Sequence, residues 1–424
     1  MSKLSRRTFV SGAGAALAAP FVLPHLASAA GTPKVVVIGG GFGGTSLARY
    51  LRRHNPDVAV TLVERDRTFS TCPFSNGVIG GLWQMEQITF GYDAVAAAGV
   101  EVIHDTASAI DATAKTVTLA GGHVLPYDYL VVSPGIQFVW DSIEGYGPEA
   151  AEIMPHAWQA GPQTMLLRQQ IEAMDDGGLV IIGVPKTPFR CPPGPFERAS
   201  LIANYLHQHK PKSKVMILDS NESFAKQPLF EEAWAKLYPG MVEWVPGSQS
   251  GVVMGVDTAT MTVSTSFDDF NPAVANIIPA QRAGQIAIDA GLDEGKGFCP
   301  IDPVTFQSTV HNDIYVLGDA TIAGAMPKSG FSANNQAKVC GAAILAAIAG
   351  KEVAPSKLIN VCYSFATPDY AFEIADVFEV KDGSLALSFE DNRTTPLEAS
   401  QDVHKREAEY AHSWYENITA EMFG

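Results

Sequence analysis

The sequence runs to 424 residues, 46% hydrophobic and 17% charged, with 38 Gly and 27 Pro. That is enough chain for two or three domains with cores of their own, and too apolar a chain to be disordered. The formal charge of −16 becomes −19 once the acid-free first 30 residues, with Lys3, Arg6 and Arg7, are set aside. A nucleic-acid backbone is thereby excluded as partner, while a basic protein surface stays open.

The N-terminus reads as a removable export signal. Ser5-Arg6-Arg7-Thr8-Phe9-Val10 is a twin-arginine core, a mild apolar stretch runs to Leu23, and Ala27-Ser28-Ala29-Ala30 is a small-residue cleavage site. The apolar stretch is shorter than a membrane span and rich in Gly and Ala. Residues 1–30 are therefore expected to be removed and the rest to work in a bacterial periplasm, where disulfides persist. No later segment reaches about 18 uninterrupted apolar residues, so no further span is expected.

Lys34 to Ile38 is a buried-strand run, followed by Gly39-Gly40-Gly41-Phe42-Gly43-Gly44, a helical stretch through Arg53, and a second strand, Val58 to Val63, ending at Glu64. Strand, glycine loop, helix, strand and acid make a dinucleotide-binding unit. Gly39 permits the tight turn, Gly41 lets backbone approach a pyrophosphate, and Gly44 lets helix pack on strand. Glu64, 25 positions after Gly39, is placed for the ribose hydroxyls. Tyr127 to Gly135 reads as the strand and turn that return to this domain.

The unit then recurs in altered form. Leu179-Val-Ile-Ile-Gly183 matches Val35-Val-Val-Ile-Gly39, and Val215 to Phe224 matches Val60 to Phe69, with Asp219 in the place of Glu64. The second phosphate loop is dismantled: Pro185 and Pro188 stand where Gly41 and Gly44 stood, removing amide donors and backbone freedom. A nicotinamide is not expected there. The longer spacing from Gly183 to Asp219 admits Arg190-Cys191-Pro-Pro-Gly-Pro195.

Asn312 to Ala320, a strand ending in Gly318-Asp319, resembles a second FAD motif in which the aspartate bonds the ribityl–pyrophosphate region. A helix from about Gly330 to Ile348 should follow. The expected fold class is α/β: two Rossmann-like dinucleotide-binding domains of the disulfide-reductase type plus a C-terminal α+β region. The FAD-binding domain would comprise residues 31–150 and 285–354, the second Rossmann-like domain 151–284, and the C-terminal domain 355–424. In the last, alternation near Tyr370 to Glu379 reads as strand. A helix from about Ala399 to Phe423 presents Tyr410, Trp414 and Ile418 as a packing or partner stripe. Glu407, Glu409, Glu416 and Glu421 on its other face argue against an anionic membrane surface.

Five cysteines are an odd count for an exported chain. Cys72, in Thr71-Cys72-Pro-Phe-Ser-Asn76, lies where a thiol could form a thioether to a flavin methyl group; the plain alternative is a small pocket-lining residue. The first helix carries no cysteine pair, so a redox disulfide would have to join distant positions. Cys191 with Cys362 is the favoured pair, a purely structural bridge standing equally open. Arg190, Arg198 and a helix start at Pro195 are expected to favour a Cys191 thiolate, and Glu197 is placed to move protons. Cys340 reads as a buried small residue, and Cys299 as structural or free.

Taken together, these segments resemble the flavoprotein subunit of flavocytochrome c sulfide dehydrogenase over essentially the whole length. The matching segments are Lys34 to Gly41, Thr71 to Asn76, Cys191-Pro-Pro-Gly-Pro-Phe-Glu197, Gly318-Asp319-Ala320, Met326-Pro-Lys328-Ser-Gly330 and Cys362-Tyr-Ser364. The resemblance implies FAD linked covalently through Cys72, with Lys328 among the cofactor-binding residues. It also implies a redox disulfide between Cys191 and Cys362 beside the flavin, sulfide as substrate, and a periplasmic c-type cytochrome subunit as partner. The chain has no Cys-x-x-Cys-His, so the haem is expected on that other subunit. Alternatives are a sulfide:quinone reductase-like enzyme, a nicotinamide-dependent reductase, and a flavoprotein of a sulfur pathway without turnover of its own.

Overall fold

The Val35-to-Ile38 run forms the middle of β1 (Lys34–Ile38), a strand buried on both faces, which is why its side chains are continuously apolar instead of alternating. Parallel partners flank it: β2 (Ala59–Val63) on one side, and on the other a later strand, reached after helix α1 (Phe42–His54), the short α2 (Ser75–Ile79) and β3 (Glu101–Ile103). That later strand is β4 (Tyr129–Val132). These details belong to a computed structural model that describes residues 31–389 and 393–424; the expected export signal lies outside them.

A second parallel sheet follows. It contains β5 (Leu179–Val184), helix α3 (Gly194–His209), β6 (Lys214–Asp219), helix α4 (Gln227–Leu237), β7 (Val242–Val245) and β8 (Val274–Ile277), in strand order β7-β6-β5-β8. The chain then returns to the first sheet. Strand β9 (Ile314–Val316) pairs with β4 and completes the order β9-β4-β1-β2-β3. Both sheets reverse direction of growth beside their first strand, the place where open α/β folds bind ligands. Helix α5 (Gly330–Ile348) lies along α1, joined to it by the Asn334 amide donating to Ser46 Oγ at 2.8 Å.

The last sheet is antiparallel: β10 (Leu358–Thr367), β11 (Tyr370–Lys381) and β12 (Ser384–Leu387). Its Leu358, Phe378 and Leu385 enter the core of the first sheet, while Ala366, Tyr370 and Phe372 enter the core of the second. The hairpin therefore spans both cores, and Cys362 sits mid-strand between its two anchored ends. From Pro33 to Gly424 the chain is one compact unit, with the three sheets inside it.

Helix α6 (Gln401–Phe423) closes the fold on a stripe that keeps Ile418 and the half-buried Trp414 of the expected one but leaves Tyr410 out. Tyr410 is 52% exposed, and the buried line runs through His404, Ala408, Ala411, Tyr415, Ile418 and Met422. Glu407, expected on the solvated face, is buried and accepts a 2.6 Å hydrogen bond from Thr395 Oγ1. A helix packed on two elements buries a broad stripe, so a three-residue i, i+4 pattern does not fix its rotation. Among the described residues no helix is long and apolar enough to cross a membrane.

Candidate functional site

The cofactor cradle is built at the carboxyl end of β1. Gly39 turns there with φ +98°, and a Cβ on Gly44 would lie 1.9 Å from the Gly39 carbonyl oxygen, so only glycine lets α1 start this close to the strand. Gly41 is the N-cap of α1 with no side-chain cap, leaving first-turn N–H groups for an anion. A Cβ on Gly41 would meet nothing nearer than the Phe69 ring at 3.4 Å, so its smallness serves the space outside the protein. Glu64 accepts from the Gly40 N–H (2.7 Å) and the Asp66 N–H (3.0 Å), and a carboxylate retains further lone pairs for ribose hydroxyls.

Across the cradle, Asp319 follows β9. One of its oxygens lies 3.9 Å from the Arg190 guanidinium, and the other is buried with no partner among the described residues. Burial raises its pKa, opposed by Arg190 and Lys328. A buried acceptor without a donor is costly, and ligand hydroxyls would satisfy it. Lys328 donates to the carbonyls of Asp319 (3.0 Å) and Thr321 (2.6 Å) and lies 3.8 Å above the Phe298 ring. Burial brings its pKa down to about 8. Helix terminus, open glycine face, ribose-facing carboxylate and orphaned aspartate together fit FAD.

Beside this cradle a cavity with about 1350 Å³ of empty space, partly open to solvent, is lined by Cys72, Cys191, Glu197 and Cys362. Residues 290 positions apart in sequence thus meet at one surface. Cys191 is held in the turn before α3 at φ +57°: its N–H donates to the Lys328 carbonyl, and its carbonyl accepts from Gly194, both at 2.8 Å. A Cβ on Gly194 would press within 3.0 Å of the Cys191 sulfur, so glycine at this helix start makes room for the thiol. Cys362 comes from β10 and Cys72 from the loop before α2. No two of the five cysteines are bridged in this structure, so the expected Cys191–Cys362 bond is open in it, and Cys299 and Cys340 are buried.

Glu197, one helical turn past Cys191's loop, accepts from Asn76 Nδ2 (2.8 Å) and from the Phe365 N–H (3.0 Å). Burial raises its carboxyl above the ordinary range against those two donors, so it can carry a proton. Arg198, next in the helix, lines the same cavity but commits its N–H groups to oxygens rather than to a sulfur. It is 1% exposed and donates to Asn76 Oδ1 (3.0 Å), Asn276 Oδ1 (2.8 Å) and the carbonyls of His156 (3.1 Å) and Ala157 (2.6 Å).

The expected thiolate-favouring environment of Cys191 is not the one found. Burial raises its pKa, with Cys362 and Glu197 adding to the rise, because the thiol faces an apolar, partly acidic wall. The cation that opposes the rise is neither arginine but Lys226, which sequence reasoning missed. Lys226 precedes α4 at φ +63° and reaches the C-terminal sheet, donating to the Cys362 carbonyl and to Ser364 Oγ, each at 2.7 Å. Asn360 was also missed: its amide lies 3.4 Å from the Cys362 sulfur, while its oxygen accepts from Ser329 (2.6 Å) and Ser332 (3.1 Å). The only signal for either was a polar residue inside an apolar or aromatic stretch.

In the second sheet, Asp219 occupies the position of Glu64 but turns inward. Its Oδ1 accepts from the Asn221 N–H (3.0 Å) and side-chain amide (2.7 Å), and its Oδ2 from Trp244 Nε1 (3.1 Å). Asn221 in turn ties down the loop at Pro185 and Thr187. Among the described residues no cluster of His, Cys, Asp or Glu could hold a metal ion.

Comparison with known proteins places these features. The family model "Sulfide dehydrogenase [flavocytochrome c] flavoprotein chain, central" matches residues 164–279, and "Flavocytochrome c sulphide dehydrogenase, flavin-binding" matches 354–423. A pyridine nucleotide-disulphide oxidoreductase model matches 33–168. A sulfide dehydrogenase [flavocytochrome c] flavoprotein chain from Chlorobaculum thiosulfatiphilum is 62% identical over 48 residues, 11% of this chain and 100% of that sequence. The chain belongs to the flavocytochrome c sulfide dehydrogenase flavoprotein family.

Within this flavoprotein family, Cys191, Glu197 and Lys226 fall in the central region, and Asn360 and Cys362 in the flavin-binding one. More distant likenesses agree on architecture. The mitochondrial sulfide:quinone oxidoreductase of Dictyostelium discoideum is 23% identical over 306 residues, 68% of this chain and 65% of that one. The solved sulfide:quinone oxidoreductase of Aquifex aeolicus superposes with a TM-score of 0.73 at 19% identity, covering 92% of each chain, which shows the shared fold. The protein is an FAD-binding oxidoreductase with the two-sheet disulfide-reductase architecture.

Proposed function

We propose that the chain is the sulfide-oxidising flavoprotein of a periplasmic pair, exported by the twin-arginine route, whose electrons leave to a c-type cytochrome subunit carrying the haem. The observation that carries this reading is the convergence of Cys191, Cys362, Glu197 and Cys72 on one cavity beside a cradle that fits FAD. FAD, when bound, supplies the acceptor of an electron pair and the means of passing it on singly. Cys72 lines the same cavity and is the residue for a covalent tether.

Cys191 and Cys362 serve as a disulfide in the resting enzyme. Hydrosulfide attacks one sulfur; a new S–S bond forms as the Cys191–Cys362 bond breaks, one cysteine becoming a persulfide and the other a thiolate. Glu197, held by Asn76 and the Phe365 N–H, takes or returns the proton that a neutral sulfur species carries. The cavity's walls of Trp83, Phe74, Trp158 and Trp414 give the sulfurs a largely apolar surround. Asp219 is fully buried and engaged by Asn221 and Trp244, so the counterpart of Glu64 is not presented to a ribose, which supports a reductant other than a nicotinamide.

Anaerobic titration of the purified flavoprotein with sulfide, then NADH, tests this. Sulfide should bleach the oxidised flavin and NADH should not. Cys191→Ser should stay yellow and lose the sulfide response; retention of full sulfide-dependent reduction by that variant would refute the disulfide reading. Reoxidation by a soluble c-type cytochrome, against a quinone in detergent, separates this function from that of the sulfide:quinone oxidoreductases whose fold it shares.

A further inference from the structure

Lys226 is 8% exposed, and no carboxylate among the described residues comes within ion-pair distance of it. Its ammonium makes two hydrogen bonds, both to neutral oxygens of β10, and lies 5.5 Å from the Phe372 ring. A buried ammonium so arranged costs stability unless an anion appears beside it. Glu197 on α3, Glu373 on β11 and the Cys191 and Cys362 thiols are the titratable groups that face it, and Glu407 on α6 feels its charge in return. Glu197 is already supplied with neutral donors, neither Glu373 nor Glu407 lines the cavity, and Glu407 is taken up by Thr395 Oγ1 at 2.6 Å. The anion that comes and goes there is a cysteine sulfur.

The two sulfurs are not equivalent towards it. Lys226 grips the backbone of Cys362 itself, and Asn360 aims its amide at the Cys362 sulfur from 3.4 Å, its own orientation fixed by Ser329 and Ser332 at the start of α5. Cys191 receives no such side-chain donor among the described residues. We propose that Lys226 and Asn360 are positioning residues that hold Cys362 as the thiolate when the Cys191–Cys362 bond opens, directing the incoming sulfur to Cys191. In balanced form, HS⁻ adds to the Cys191 sulfur and gives Cys191–S–SH, while the bonding pair of the broken S–S bond stays on Cys362 as its negative charge. The burial that raises both thiols is opposed at Cys362 by Lys226 first and Asn360 second.

This assignment rests on the dithiol–disulfide reading above, and its test does not use sulfide. Holoenzyme reduced anaerobically with dithiothreitol is alkylated with iodoacetamide over a pH series, and the Cys362 and Cys191 peptides are quantified separately by mass spectrometry. Lys226→Gln keeps hydrogen-bonding capacity and removes charge; Lys226→Arg keeps charge. The expected result is alkylation of Cys362 at least about ten-fold slower near neutral pH in Lys226→Gln, equivalent to a midpoint raised by about one pH unit, with Lys226→Arg near wild type. Asn360→Leu should shift the Cys362 midpoint in the same direction by less and leave that of Cys191 in place. An unmoved profile in Lys226→Gln overturns the proposal. Equal slowing in Lys226→Gln and Lys226→Arg also overturns it, because it would assign Lys226 a packing role. A Cys362 profile that shifts as expected in an enzyme unresponsive to sulfide would sink the function above and leave this electrostatic assignment standing.

Discussion

Arg198→Met is the sharpest probe of how the cavity is held. Burial lowers the guanidinium pKa to about 10, so it is a cation at neutral pH, and four protein oxygens receive its N–H groups. Methionine fills much of the volume and donates nothing. His156 O keeps its second donor, the Asn276 amide at 2.8 Å, but Ala157 O, Asn76 Oδ1 and Asn276 Oδ1 lose the donor that Arg198 gave them. Three stranded acceptors at roughly 1–3 kcal/mol each, less the relief of no longer burying a charge, give a loss of about 4 kcal/mol. With an unfolding entropy of about 2.1 cal/mol/K per residue over roughly 390 residues, that is a fall in Tm of about 5 °C. Scanning calorimetry of the holoprotein measures it, with Arg198→Lys as the control that keeps charge but lacks the planar fork and should fall nearly as far. The same change frees the Asn76 side chain, whose amide holds Glu197 at 2.8 Å, so flavin reduction by sulfide should slow as well. A Tm within about 1 °C of wild type for Arg198→Met would refute the account of this network as the cavity's frame.

Three further outcomes are expected. Burial raises the Glu197 carboxyl, so the folded protein holds a proton that the unfolded chain has released; wild-type stability should fall as pH rises from the ordinary carboxylate range through the raised value. Glu197→Gln should lack that fall, and parallel Tm-against-pH curves for the two proteins would contradict it. Gly44→Ala, which puts a Cβ 1.9 Å from the Gly39 carbonyl oxygen, should abolish flavin retention, read as loss of visible absorbance in the purified protein. Cys72→Ala should release its flavin on acid denaturation while wild type keeps the colour with the polypeptide; release from both would count against a covalent tether.

What sequence could and could not reveal divides by the range of the interactions. The first sheet and its cradle were legible because strand, glycine loop and acid sit within 30 residues and each glycine has a local cause. Helix α5 was expected from Gly330 to Ile348, and the structure ends it at the same residues. The rotation of α6 was not legible, since Tyr415 is buried by its bond to Thr71, 344 positions away. Lys226 and Asn360 escaped for the same reason. Neither has a motif, and their meaning depends on β10 crossing from one core to the other. The charge around Cys191 was misjudged because Arg198, although it lines the same cavity, is engaged by Asn76, Asn276 and two carbonyls, while burial dominates the thiol and the cation that opposes it, Lys226, comes from a distant loop.

Strand β9 is the outermost strand of the flavin sheet, and its pairing with β4 must wait until the whole second sheet has been synthesised between them. A chain emerging from the ribosome can form β1 to β4 early, yet Asp319 and α5, which complete the cradle, follow 187 and 198 residues after the end of β4. Pairings of such separation are slow to form and leave apolar edges uncovered meanwhile. Folding and cofactor capture are therefore late, coupled events best finished where FAD is made. A route that threads an unfolded polypeptide would deliver an open sheet to a compartment poor in flavin. The proposed twin-arginine leader suits such a topology, because that route carries its cargo across already folded.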